Sequence, residues 1–186
     1  MPVAIILAFD EEGTTILNQV FKRLKESKFN SYYLLVVPHI TLTSYGGIDL
    51  HIARERLNQF CKSIDPFRIL FSSFGYFPSE EGVLFLNPIA SIELLDIQQK
   101  VFELFEDFQG DNSPKTWVPH CTLATDIPQK RIGKAIDLVR EDIIMKMGRP
   151  FYIDAQSIWV VEFKTGPSSI ISTNEFKFKK KNKDSI

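Results

Sequence analysis

Apolar positions along the chain switch repeatedly between the strand period of two and the helical period of 3.6. Val3 to Phe9 is an unbroken apolar run of strand length, as expected of a strand buried on both faces. Ile16, Leu17, Val20, Phe21 and Leu24 then recur at helical spacing behind Thr14 and Thr15, which can cap. Tyr33 to Thr43 returns to strand character and ends in the loop Ser44-Tyr45-Gly46-Gly47. Asp49 is the expected cap of a second helix, with Ala53, Leu57, Phe60, Cys61 and Ile64 on its apolar stripe. Pro66 closes that helix, Phe67 to Phe74 reads as a strand, and Gly75 to Gly82 as a loop.

After the loop the pattern restarts. Val83 to Leu86 is a short apolar strand, and Ser91 caps a helix with Leu94, Ile97, Val101, Leu104, Phe105 and Phe108 inward. Beyond the turn-rich Gly110 to Pro114, another strand is expected from about Thr116 to Thr125, and Asp126 and Pro128 open a helix that Pro150 ends. Phe151 to Asp154, Ser157 to Phe163 and Glu175 to Lys179 complete the strands.

The order strand, helix, strand, helix, strand therefore occurs twice, and each repetition carries one motif. Pro38-His39-Ile40-Thr41-Leu42 lies in the first, and Pro119-His120-Cys121-Thr122-Leu123 in the second. From Val3 to His39 is 36 positions and from Val83 to His120 is 37. Shared element order together with a shared motif offset implies internal duplication into two similar lobes. A strand period of two puts His39 and Thr41 on one face, with Thr43 beside them, and Ile40 and Leu42 on the other. His120 and Thr122 likewise oppose Cys121 and Leu123. Equivalent strands of two such lobes can face each other across a shared groove, where ligand sites usually lie.

Composition sets the limits of this picture. With 186 residues, 44% apolar and 24% charged, the chain fits one bilobal domain over residues 1–176. Lobe one covers about 1–74 and lobe two about 83–163, with a final strand at about 174–179 assigned to neither. No apolar run approaches a membrane span, and the N-terminus has neither a basic segment nor a small-residue cleavage site, so the expected location is cytoplasmic. Cys61 and Cys121 fall in no metal-ligand spacing and make no disulfide framework. Five of the 22 basic residues lie in the tail 177–186, which leaves the body with 17 basic and 22 acidic residues. Such a body does not suit a long duplex, which needs many cationic contacts; a small ligand or a strand end is easier to hold. A monomer is the default for a groove made within one chain.

A lone His-x-Thr in a strand is ordinarily a structural histidine. Two of them, each with the same proline, threonine and leucine, point to chemistry. Facing imidazoles suit in-line phosphoryl transfer, because one neutral and one protonated ring coexist near neutrality and can take and give a proton. The threonine hydroxyls can donate to the non-bridging phosphate oxygens, and a 2′,3′-cyclic phosphate fits such a site without a metal or other cofactor.

The paired His-x-Thr-Leu motifs in a duplicated chain resemble the two-histidine (2H) phosphoesterase superfamily, particularly its bacterial 2′-5′ RNA ligase-like branch. The resemblance spans roughly residues 3 to 163. It implies an α+β, bilobal, internally duplicated fold of two sheets with helices outside and a pseudo-two-fold central groove. It also implies metal-independent cleavage or joining of phosphodiesters, often 2′,3′-cyclic or 2′-5′-linked, with a nucleotide or RNA end as substrate. His39 and His120 are then the acid-base pair, and Thr41 and Thr122 the phosphate binders. Which ring is the base depends on the direction in which the substrate lies.

Tyr45, whose loop leaves the first motif strand, is the first choice for stacking on a base, with Tyr76 and Phe77 behind it. Lys115 and Arg131 flank the second motif as candidate phosphate attractors, and His51 is expected to be exposed in the first turn of a helix. Two rival readings use the same residues. One is a module that binds a nucleotide or RNA end without turning it over; the other is a zinc hydrolase, which lacks a third ligand on either motif face.

Overall fold

The computed structural model describes residues 1–30, 36–77, 81–147, 151–164 and 170–179. The elements run β1 (Val3–Phe9), α1 (Glu11–Glu26), β2 (His39–Tyr45), α2 (Leu50–Cys61), β3 (Phe67–Phe77) and β4 (Glu81–Pro88). They continue with α3 (Ile92–Glu103), the two-residue β5 (Gly110–Asp111), β6 (Cys121–Pro128), α4 (Ile132–Met147), β7 (Phe151–Phe163) and β8 (Ile170–Lys177). No helix among the described residues is long and apolar enough to cross a membrane.

Every strand pairing is antiparallel, and the fold is α+β with four helices on the sheet. The order is β5-β2-β1-β7-β3-β4-β6, with β8 added on β7. The two expected sheets are two arms of one hydrogen-bonded network that share β7. Its first residues, Phe151 to Ala155, pair with β3, whereas Ala155 to Glu162 pair with β1 and Ser157 to Phe163 with β8. β3, which spacing placed in lobe one, is bonded to β4 of the second half, and β7 is bonded to β1 of the first. The helices cross over in the same way: α3 packs on β2 and α1 on β6. Leu17, Val20, Phe21 and Leu24 of α1, and Leu94, Ile97 and Val101 of α3, bury their stripes in one core cluster with Val3, Ile5 and Leu7 of β1.

Several boundaries differ from the sequence reading, each for a local reason. Asp10, and not Thr14 or Thr15, caps α1, its side chain accepting from the Gly13 amide at 3.0 Å. Ser91 and Asp49 cap α3 and α2 as expected. The expected loop at Gly75 is strand, because Gly75 pairs with Phe85 and its missing side chain leaves room for that ring. Asp126 does not open a helix: it is in β6 with φ 56°, a short 3-10 turn (Gln129–Arg131) follows, and α4 begins at Ile132. The last strand starts at Ile170, with Lys177 at its end, and residues 180–186 of the basic tail lie outside the described residues. So do residues 31–35, where the first motif strand was expected to begin.

Candidate active site

Both motif strands contain the same interruption. In β2, Ile6 pairs with Thr41 but Ile5 pairs with Thr43, leaving Leu42 as the extra residue of a bulge. In β6, Phe85 pairs with Thr122 but Leu84 pairs with Ala124, leaving Leu123 extra. A second matched pair of bulges interrupts β7 between Ala155 and Ser157 and β3 between Phe71 and Ser73. Ahead of its bulge, β2 keeps the expected alternation, with His39 and Thr41 half-buried on one face and Ile40 and Leu42 buried on the other.

Beyond the bulge the alternation reverses, and this corrects two expectations. Thr43 does not share the His39 face: it is fully buried opposite Ile5, and its hydroxyl donates to the Asp111 carbonyl at 2.8 Å. Tyr45 is not a base-stacking residue, since it pairs with Val3 on the core side and is 2% exposed. Its ring packs edge-on to Phe105 and Phe108, with centroids 5.7 and 6.4 Å away. Among the described residues its buried hydroxyl has no well-formed hydrogen bond, and burial raises its pKa against a weaker pull from the Thr43 side chain.

β6 ends the strand order and β2 is one strand in from the other end, yet the two approach each other, because the sheet curls. The Cys121 thiol, pushed up to about 12 by burial, lies against the His39 backbone. The Trp117 indole N–H, just ahead of the second motif, donates to the Thr41 carbonyl at 2.9 Å. Gln98, 2% exposed on α3, donates to the Leu42 carbonyl at 3.2 Å and to the Asn112 carbonyl at 2.8 Å. Two side chains of the second half thus occupy the carbonyls left by the bulge in the first.

The histidines are held alike. His39 Nδ1 lies 2.7 Å from the Val37 carbonyl, and His120 Nδ1 lies 2.7 Å from the Val118 carbonyl. A carbonyl only accepts, so each Nδ1 carries a hydrogen and each neutral ring keeps its Nε2 lone pair free. Burial lowers both pKa values, against the opposing pull of each carbonyl, and the charge of His120 lowers that of His39 further. The rings differ in packing. His120 is held edge-on between Phe77, at 5.1 Å, and Phe85, at 5.3 Å. Phe77 therefore lies in β3 against a histidine and not in a loop available to a base.

The remaining candidates are placed elsewhere. Arg131 donates to the Ser27 and Lys28 carbonyls beyond the end of α1 and covers the Phe29 ring at 4.2 Å, which makes it structural. His51 is exposed in the first turn of α2, as expected, beside Arg54, Glu55 and the Asn174 to Phe176 stretch of β8. Among the described residues no group of three or more His, Cys, Asp or Glu side chains is placed to hold a metal ion. Sequence reasoning missed Phe85, Trp117 and Gln98. The available signals were a glycine at 75 in line with a strand, and a tryptophan two residues ahead of Pro119.

The family model described as the 2′-5′ RNA ligase superfamily matches residues 14–159. No curated protein matches the sequence. Among solved structures, the fold is similar to TT0787 of Thermus thermophilus, with 15% identity, a TM-score of 0.67, and coverage of 98% of this chain and 100% of that one. It is similar to E. coli LigT complexed with 3′-AMP, with 13% identity, a TM-score of 0.55, and coverage of 96% and 97%. It is also similar to Kluyveromyces marxianus Usb1 with uridine monophosphate, with 10% identity, a TM-score of 0.50, and coverage of 95% and 98%.

Proposed function

The chain belongs to the 2′-5′ RNA ligase superfamily, and from that premise we propose that it is a metal-independent phosphoesterase. It acts on 2′,3′-cyclic phosphate or 2′-5′-linked RNA or nucleotide phosphodiesters, with His39 and His120 as the acid-base pair. The observation that carries this reading is the repeated clamp: each Nδ1 is tied at 2.7 Å to the carbonyl two residues earlier, which leaves each Nε2 to handle a proton. The nucleotides bound in the LigT and Usb1 structures support a nucleotide substrate.

Charge on His120 disfavours charge on His39, so the pair favours holding one proton between them. The neutral ring accepts a proton from the attacking water or hydroxyl, and the protonated ring delivers one to the departing oxygen. Thr41, on the His39 face of β2, and Thr122, two residues past His120, donate to the non-bridging oxygens as charge develops there. The four matched bulges support descent of the two halves from one duplicated unit.

The test is turnover of 2′,3′-cyclic phosphates and short 2′-5′-linked oligonucleotides by purified protein, with and without a chelator. His39→Gln and His120→Gln should each lose about 10²- to 10⁴-fold in turnover while remaining folded. Normal turnover in either variant removes the acid-base assignment. Tight binding without turnover of any such substrate by the wild type replaces the enzyme with a nucleotide or RNA-end binding module.

A further inference from the structure

Beside the histidine pair, the first arm carries a second set of groups in register. Cross-strand pairing aligns His39, Ala8, Ser157 and Lys177 in one row, and Thr41, Ile6, Trp159 and Glu175 in the next. With strands about 4.8 Å apart, Trp159 is two steps, about 10 Å, from Thr41, and Lys177 is three steps, about 14 Å, from His39. We propose that this face, from Thr41 across Trp159 to Lys177, holds a second nucleotide, so that the preferred substrate is an oligonucleotide and not a single cyclic nucleotide. The proposal rests on the phosphoesterase reading and narrows its substrate class.

Trp159 is half-buried, and its indole N–H donates to the Ser157 hydroxyl at 3.0 Å, two residues back on the same face. That bond holds the indole toward its own strand. Among the described residues no aromatic ring packs against it. A ring fixed on one side and unstacked on the other suits a base, whose π-face stacks without demanding a particular sequence.

Among the described residues the second arm offers no equivalent. Gly75 stands beside Phe85 there as Trp159 stands beside Ile6, and the Phe85 ring is already packed against Phe77 and His120. Among the described residues the first arm alone therefore continues outward from the motif as a platform. Its outer strand brings the exposed cation Lys177 to the concave face. Lys179 is turned away, with its amine 3.8 Å from Asp65 and its amide on the Ile64 carbonyl. A phosphate following the stacked base meets Lys177, while Glu175 beside the indole can accept from base N–H groups or ribose hydroxyls.

The experiment compares a 2′,3′-cyclic mononucleotide with a trinucleotide ending in the same cyclic phosphate. Trp159→Ala should raise KM for the trinucleotide about ten-fold or more and leave its kcat and the mononucleotide kinetics unchanged, while Trp159→Phe stays near wild type. Lys177→Gln should weaken trinucleotide binding less and reduce its salt dependence. Equal effects on both substrates, or no wild-type preference for the longer one, overturn the proposal. Tryptophan fluorescence separates it from the phosphoesterase reading. Quenching by the trinucleotide in wild type but not in Trp159→Phe supports the surface even if nothing is turned over, and equal quenching in both overturns it.

Discussion

Replacing Gly75 with alanine should injure the protein through His120, although residue 75 does not belong to the motif. A Cβ there falls 2.1 Å from Cε2 and 2.2 Å from Cζ of Phe85. Carbon atoms settle at about 3.5–4.0 Å, so the ring must move by about 1.5 Å. Phe77, with its centroid 4.3 Å away and tilted by 31°, closes one direction, and the other leads into His120 at 5.3 Å. Overpacking of this kind costs about 1–3 kcal/mol. For a domain of this size that lowers Tm by roughly 2–12 °C. Thermal unfolding, together with an NMR titration of His120, measures both consequences. Phe85→Leu removes the obstructed ring, so the double variant Gly75→Ala with Phe85→Leu should be more stable than additivity predicts, by about 1 kcal/mol. Additive effects, or Gly75→Ala with an unmoved Tm and an unmoved His120 titration, would refute the packing chain from Gly75 through Phe85 to the imidazole.

Trp117→Phe should leave the part-buried Thr41 carbonyl without its donor, at about 1–3 kcal/mol by urea unfolding and with reduced turnover; loss of neither would deny the clamp. Tyr45→Phe removes a buried hydroxyl that makes no well-formed hydrogen bond among the described residues, so stability should hold or rise by about 1 kcal/mol with KM unchanged. A raised KM would return Tyr45 to the substrate. Each imidazole has a depressed folded-state pKa, so the unfolded chain binds its proton more readily. Their contribution to stability is present above about pH 6.5 and is lost as pH falls through the lower folded-state values, so His39→Gln with His120→Gln should flatten the acid limb of urea midpoint against pH.

What was legible in the sequence was whatever a fixed period reports. Most of the element order, the Ser91 and Asp49 caps and the shared face of His39 and Thr41 follow from patterns that no long-range contact overrides. Tyr45 was read as a loop residue, but β2 continues through it and the bulge at Leu42, which a strand cannot announce, turns it to the core. Gly75 was misread as a turn because its partner, the Phe85 ring, stands ten residues further on in another strand. Trp117 and Gln98 were passed over because their acceptors are backbone carbonyls, which every sequence carries and none marks.

The same long-range pairing explains why the two motif strands approach each other. A duplicated chain on a flexible linker would leave the separation of its histidines to the linker. Here the last strand of each half is built into the other arm, β3 on β4 and β7 on β1, and β3 and β7 also bond to each other. The first helix of each half packs on the motif strand of the other. Without the second half, β1 loses its β7 edge, β2 loses α3, and the carbonyls at the Leu42 bulge lose Trp117 and Gln98. Open strand edges and unpaired buried carbonyls are both costly, so neither half is complete alone. The spacing of His39 and His120 is thus a property of the shared sheet, fixed by hydrogen bonds running through β1, β7, β3 and β4 between the two motif strands.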